Sequence, residues 1–188
     1  MKLYFHLCID GFTNSYTILN DSPDVKEAII VDPGKIDMET INLIEEGGYK
    51  LSAVLITHKH THHIQGLRTL KKIYTPVVYA ADAGIYGMDC SILNGDGIIK
   101  IAGFNVEFFF LFVHSPDSMV YKIEDVIFTG DTLISGVTGS TLSQYSHKLL
   151  CKKIKDKIFS LPNRTVVFPG HGSPSTIESE KQFNIDLI

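Results

Sequence analysis

Six of the eight histidines in this chain fall into three short segments: Thr57-His58-Lys59-His60-Thr61-His62-His63, His114-Ser115-Pro116 and Pro169-Gly170-His171-Gly172. A neutral imidazole offers one ring nitrogen to zinc or iron at about 2.0–2.1 Å, and loop placement lets several rings converge on one point. Asp131, in Phe128-Thr129-Gly130-Asp131-Thr132-Leu133, adds a carboxylate. Two cations a few ångströms apart repel each other, and a bridging anion relieves that repulsion. The candidate ligands are therefore His58, His60, His62, His63, His114, Asp131 and His171, and the chemistry they point to is that of a dinuclear metal centre. His6 and His147 lack such company and are read as structural or exposed.

The elements that must position these residues can be read from periodicity. Leu3 to Ile9, Ser15 to Leu19 and Glu27 to Val31 are β-rich runs separated by Gly, Asn and Pro, as in an antiparallel meander. Residues 37 to 46 carry Met38, Ile41, Leu43 and Ile44 at roughly helical spacing, and Gly47-Gly48 supplies the stop. Leu51 to Ile56 is a continuous apolar strand of the kind buried on both faces, and the histidine-rich stretch follows it on a strand-to-helix loop before a helix over about Ile64 to Ile73. Strands are expected at Val77 to Ala80, Ile98 to Ile101, Val106 to Val113, Met119 to Ile123, Val126 to Phe128 and Thr165 to Phe168. Ser143 to Phe159 reads as an amphipathic helix with lysines on a solvated face, and a last helix starts near Thr176. Two strand-rich halves, each with helices, predict an α+β protein, an αβ/βα sandwich rather than alternating parallel βαβ units, over residues 1 to 188 as one domain.

Composition narrows the function. With 188 residues, 44% hydrophobic and 20% charged, the chain is ordinary globular material that can bury a core without disulfide or metal staples, so a metal would be there for chemistry. Net charge is −4 with no block of like charge, which argues against a nucleic-acid partner. The longest apolar run, Val106 to Val113, contains Glu107 and is too short for a membrane helix. Cys8, Cys90 and Cys151 are odd in number and far apart, as expected in a reducing cytosol. The expected partner is a small-molecule substrate.

Seven landmarks in order resemble the metallo-β-lactamase superfamily, specifically its short glyoxalase II-like hydrolases. They are Asn14-Ser15-Tyr16, Val31-Asp32-Pro33-Gly34, Thr57-His58-x-His60-x-x-His63, His114-Ser115-Pro116-Asp117-Ser118, Phe128 to Leu133, Pro169-Gly170-His171-Gly172, and the tail from Ser173 through Glu180 to Asn184. The resemblance implies a four-layer sandwich with two divalent ions, zinc first and iron as the alternative. It places His58, His60 and His114 on one ion, His63 and His171 on the other, and Asp131 between them. A water activated by the ions would attack an ester, thioester or amide carbonyl. Thr57 or Thr132 would make hydrogen bonds behind the ligands.

Departures from the family pattern bear on the chemistry. The ligand-loop Asp is His62 here, which removes a negative charge from the second site and leaves two alternatives: His62 ligates in a nitrogen-rich site, or it swings out. Asp131 and His62 are the residues expected beside the reacting water. Nitrogen-rich coordination also suits iron, so an oxygen-binding or redox protein is the second reading, and a binding module without catalysis the third. The chain ends about seventeen residues after His171, without the helical region that binds glutathione in full glyoxalase II enzymes, and Gly139-Ser140 stands where a Gly-Arg pair often follows. Asp117 replaces a glycine and is read as a turn residue.

Overall fold

The protein is described from a computed structural model covering residues 1–22 and 24–188. Chain order begins β1 (Lys2–Cys8), β2 (Thr13–Ser22), β3 (Val25–Val31), α1 (Met38–Glu46), β4 (Lys50–Leu55), α2 (Thr61–Ile64), α3 (Leu67–Ile73), β5 (Val77–Ala80), β6 (Ser91–Ile92). It continues with β7 (Gly97–Ile101), β8 (Phe104–Phe110), β9 (Met119–Ile123), β10 (Val126–Gly130), β11 (Leu133–Ile134), β12 (Val137–Thr138) and α4 (Gln144–Lys153). A π-helical turn at Ile154–Ile158, β13 (Val166–Pro169), β14 (Ser175–Thr176) and α5 (Ile177–Phe183) complete it.

The strands form two six-stranded sheets, ordered β1-β2-β3-β4-β5-β6 and β14-β13-β10-β9-β8-β7, with β11-β12 as a separate hairpin. Strand alternation decides which side chains go where. On β2, Tyr16 and Ile18 point between the sheets, where they meet Val106, Tyr121, Ile123 and Phe128. Leu19, the next residue, points to the other face of its sheet, into the layer formed with Ile44 of α1 and Leu67 and Leu70 of α3. Leu150, Ile154, Ile158 and Ile177 cover the outer face of the second sheet at Val120, Ile127 and Val167. The result is the expected αβ/βα four-layer sandwich. Among the described residues no helix is long and apolar enough to cross a membrane.

Two expectations are corrected. Parallel units are present: β3, β4, β5 and β6 pair in parallel, with α1 crossing from β3 to β4. The double-sided burial of β4 demands this, because a strand covered on both faces sits in the middle of a sheet whose crossovers are helical. The helix expected at 64 to 73 is broken in two, and His62 and His63 lie within α2 rather than on a loop. Gly66 donates its N–H to the Pro33 carbonyl at 2.8 Å, which ties the junction of α2 and α3 to the turn after β3.

Topology places the candidate ligands at one end of the sandwich. In the second sheet β8 and β10 are both antiparallel to β9, and β13 is parallel to β10, so all three end on the same side. His114 follows β8, Asp131 follows β10 and His171 follows β13, while the four remaining histidines follow β4.

Candidate metal centre

All seven candidate ligands converge, in two groups that share one carboxylate. His58, His60, His114 and Asp131 form the first, and His62, His63, Asp131 and His171 the second; within each, one ligand atom per residue lies within 4.8 Å of every other. Asp131 Oδ2 sits 3.6 Å from His58 Nε2, 3.4 Å from His63 Nε2 and 3.9 Å from His114 Nε2. His62, left open between two positions by the sequence, faces the cluster: its Nε2 is buried and its ring is 5.0 Å from that of His171.

Hydrogen bonds behind the rings fix where their protons lie. Asp32, buried at 2% exposure, accepts from His63 Nδ1 at 2.9 Å, from the Thr57 backbone N–H at 2.8 Å and from the Thr57 hydroxyl at 2.6 Å. A carboxylate only accepts, so His63 carries a proton on Nδ1 and turns Nε2 to the cluster, bare once the ring is neutral. The Thr57 hydroxyl spends its hydrogen on Asp32, so its oxygen is an acceptor for His58 Nδ1 at 3.1 Å, and His58 Nε2 is bare as well. His114 Nδ1 donates to the Ser140 carbonyl at 2.9 Å, with the same consequence. Of the two threonines expected behind the ligands, Thr57 has this role, whereas Thr132 gives its backbone N–H to the Thr129 carbonyl.

The donor set fits a metal. Nε2 of His62, His63 and His114 is buried with no hydrogen-bond partner among the described residues, and each such atom costs about 1–3 kcal/mol unless something binds it. His58 Nε2 and His60 Nδ1 face each other at 2.9 Å, with the His60 hydrogen between them where a cation would otherwise be. His171 Nδ1 lies 2.6 Å from Asp131 Oδ1, a proton sitting where a cation would otherwise be.

Electrostatics favour neutral rings at His58, His60 and His62 and a proton on His63 that a cation would have to displace. Burial, followed by the charge of His63, pushes the His58 pKa down to about 2, and burial with neighbouring imidazoles lowers His60 and His62. Burial also acts downward on His63, but Asp32 and Asp131 outweigh it and raise its pKa to about 9. Burial pushes Asp131 upward, yet the hydrogen bond from His171 and the charge of nearby His63 hold it well below the usual carboxylate range. In the metal-free protein these shifts have opposite consequences. Below pH 6.5 the unfolded chain protonates His58, His60 and His62 more readily than the folded one, so stability falls as pH drops. Between pH 6.5 and about 9 folded His63 keeps a proton that the unfolded chain has released, so stability also falls as pH rises. The thermal midpoint of chelated protein should therefore peak near neutrality, and loading with zinc should remove the alkaline decline because the ion replaces the His63 proton. Calorimetry from pH 5 to pH 9 checks both, and a midpoint that climbs steadily to pH 9 without metal would contradict the assignment.

Other contacts position the ligand loops and were not visible as such in the sequence. Asn14 donates its backbone N–H to the Gly170 carbonyl at 2.7 Å and its side-chain amide to the carbonyls of Pro169 and Gly172 at 3.0 and 2.7 Å. Tyr16 donates its hydroxyl to the Pro169 carbonyl at 2.6 Å. Together they strap the His171 turn to β2. Gly170 is required there by close approach, since a Cβ would come within 2.5 Å of both Asp131 Oδ1 and His63 Cε1. Asp117 does more than shape a turn: its Oδ2 accepts the Lys59 N–H at 2.8 Å and holds the loop between His58 and His60. His6 pairs with Thr17 on β1–β2, and His147 with Thr138 beyond the cluster.

Comparison with known proteins bears on the whole chain. Residues 8–87 match the sequence profile of the metallo-beta-lactamase superfamily. The mouse mitochondrial protein persulfide dioxygenase ETHE1 is 30% identical over 90% of this chain and 70% of its own length. The Haemophilus influenzae protein hydroxyacylglutathione hydrolase GloC is 29% identical over 94% of this chain and 93% of its own. Among solved structures, the B3 metallo-beta-lactamase BLEG-1 superposes with a TM-score of 0.84 over 99% of both chains at 28% identity. With the two-sheet sandwich, the histidine and aspartate groups at its end and relatives spanning its length, this chain belongs to the metallo-beta-lactamase superfamily.

Proposed function

We propose that this protein is a metal-dependent hydrolase of a small ester or thioester. In this reading His58, His60 and His114 hold one divalent ion, His62, His63 and His171 a second, and Asp131 lies between them, with zinc as the ion. The observation that carries it is the set of buried, partnerless Nε2 atoms gathered around a single anionic carboxylate. Bound divalent ions supply Lewis acidity and lower the pKa of water toward neutrality. The protein's own residues do the rest: Asp32, the Thr57 hydroxyl and the Ser140 carbonyl hold the Nδ1 hydrogens of His63, His58 and His114 so that their Nε2 atoms face the site, and Asp131 stays an anion that would offset the ions' charge and accept a hydrogen bond from the reacting water. Superfamily membership and the likeness to GloC support hydrolysis.

A second reading, oxygen or persulfide chemistry at iron, is favoured by the donor set of six imidazoles and one carboxylate and by the 30% identity to mouse ETHE1. One experiment separates the two. Protein purified without added metal or chelator is assayed for metal per chain, its absorption recorded without and then with air, and a panel of small esters and thioesters tested. Two zinc ions per chain, no colour, and hydrolysis that a chelator abolishes and zinc restores are expected. Iron with an oxygen-dependent band would move the redox reading to first place, and neither metal nor turnover would leave a binding module.

A further inference from the structure

A groove opens beside the His171 turn, where the edges of the two sheets meet, with a cavity volume of about 330 Å³. Its walls come from both sides: Phe5 and Leu7 from β1, Phe12 from the β1–β2 turn, and Pro174 from the segment after His171. Strand alternation puts Leu3, Phe5 and Leu7 on one face of β1; Leu3 is drawn into the inter-sheet core, while Phe5 and Leu7 remain 47% and 53% exposed over the groove.

Three observations tie this groove to the metal centre rather than to an unrelated surface. Phe5 rests on Tyr16, ring centroids 5.8 Å apart, and Tyr16 is the residue hydrogen-bonded to the Pro169 carbonyl two positions before His171. Thr13, beside Phe12, pairs with His171 as an isolated bridge, its hydroxyl 3.4 Å from Nε2. The turn itself presses on His62: a Cβ on Gly11, whose φ is +91°, would stand 2.8 Å from the His62 Cβ. Phe12 is held at φ +52° with its side chain 68% exposed, a backbone conformation that bulky L residues rarely adopt. An outlier of that kind next to a reactive centre is a pointer to function.

The groove's lining favours an uncharged, apolar occupant. No charged side chain lines it among the described residues, and of its two polar side chains, Asn14 and Ser173, Asn14 spends its amide hydrogens on the carbonyls of Pro169 and Gly172. The acid nearest in sequence, Asp10, is paired with Lys35 at 3.2 Å and faces a different cavity. The volume is at the low end for ligand pockets, room for a short alkyl chain or a single ring.

We propose that this groove seats the uncharged, apolar substituent of the substrate, with Phe12 and Leu7 setting the preference for it. The proposal rests on the hydrolase reading and names its substrate class: esters or thioesters carrying a short alkyl or aryl group and no carboxylate at that end. The test compares S-methyl thioacetate with S-methyl thiohexanoate and S-hexyl thioacetate on zinc-loaded protein. At least one hexyl compound should be preferred over S-methyl thioacetate by about 10-fold or more in kcat/KM, and that preference should fall about 10-fold in Phe12→Ser and in Leu7→Ser at equal metal content. Phe183→Ser, an exposed apolar residue on α5 outside the groove, should keep it. No preference, or a preference that survives both groove variants, overturns the proposal, as does a Phe12→Ser effect confined to sedimentation, which would assign the groove to a second copy of the chain. Should none of the three thioesters turn over, the hydrolase reading fails and the groove is judged by binding alone. Nuclear magnetic resonance shifts on adding hexanamide that map to Phe5, Leu7 and Phe12 and vanish in Phe12→Ser would uphold it, and their absence at about 10 mM would overturn it.

Discussion

Asp131→Ala is expected to leave at most one metal ion per chain and to reduce ester or thioester hydrolysis by about 10³-fold or more. Asp131 is the one residue common to both ligand groups and the only carboxylate in either. Two divalent ions about 4 Å apart at an effective dielectric of about 20 repel by about 16 kcal/mol, and the six imidazoles carry no charge to offset it. The family pattern that the sequence resembles has an Asp where His62 stands, a second anion to share that task; with His62 there, Asp131 is the one anion among the candidate ligands. Asp131→Asn sharpens the experiment, because it keeps the side-chain shape and removes the charge. Elemental analysis, kcat/KM and a circular dichroism spectrum of the metal-free variant would check the outcome together. A variant that folds, keeps two ions and turns over at the wild-type rate would refute the shared-carboxylate arrangement, and with it the dinuclear reading.

The candidate ligands were legible in the sequence because their chemistry is local. Imidazole and carboxylate types stand out at strand ends, and each strand could be recognised by its own alternation or apolar run. The αβ/βα sandwich followed from the same periodicities, and its four layers from the family resemblance. What the sequence did not display are the contacts that aim the ligands, since these join residues far apart in the chain. Asp32 reads as a turn before Pro33-Gly34, yet its partners are 25 and 31 positions away. Asn14 and Tyr16 read as a strand landmark, and they bind a turn more than 150 residues later. Asp117 reads as a substitute for a turn glycine, and it clamps Lys59 across 58 positions. The broken helix at Gly66 and the parallel pairing of β4 were missed for the same reason: each depends on a neighbour in space, the Pro33 carbonyl in one case and β3 and β5 in the other.

The second large effect is expected at Asp32, and Asn is the informative replacement. Asp32 occupies the left-handed region at φ +48°, which Asn tolerates, so Asp32→Asn should fold. Its Oδ1 must still accept the Thr57 N–H, which places the new amide nitrogen where Oδ2 now takes protons from both His63 Nδ1 and the Thr57 hydroxyl. An amide donates there instead. His63 Nδ1 would have to become an acceptor, sending its proton to Nε2 and closing that nitrogen to a metal. The Thr57 hydroxyl, now receiving a hydrogen from the amide, would turn its own toward His58 Nδ1, with the same result in the first group. One atom replaced at a residue that touches no candidate metal position should thus weaken both sites, by about 10–100-fold in zinc affinity. Nitrogen-15 spectra of the histidine rings would show the tautomers directly, competition with a chelator would give the affinity, and the alkaline decline in metal-free stability should shrink with the loss of the His63 proton's carboxylate partner. Thr57→Val provides the contrast: it removes the relay to His58 but leaves the Asp32 bond to His63, so only the first group should suffer. Wild-type zinc affinity in Asp32→Asn with the His63 proton still on Nδ1 would show that the two sites do not depend on this carboxylate.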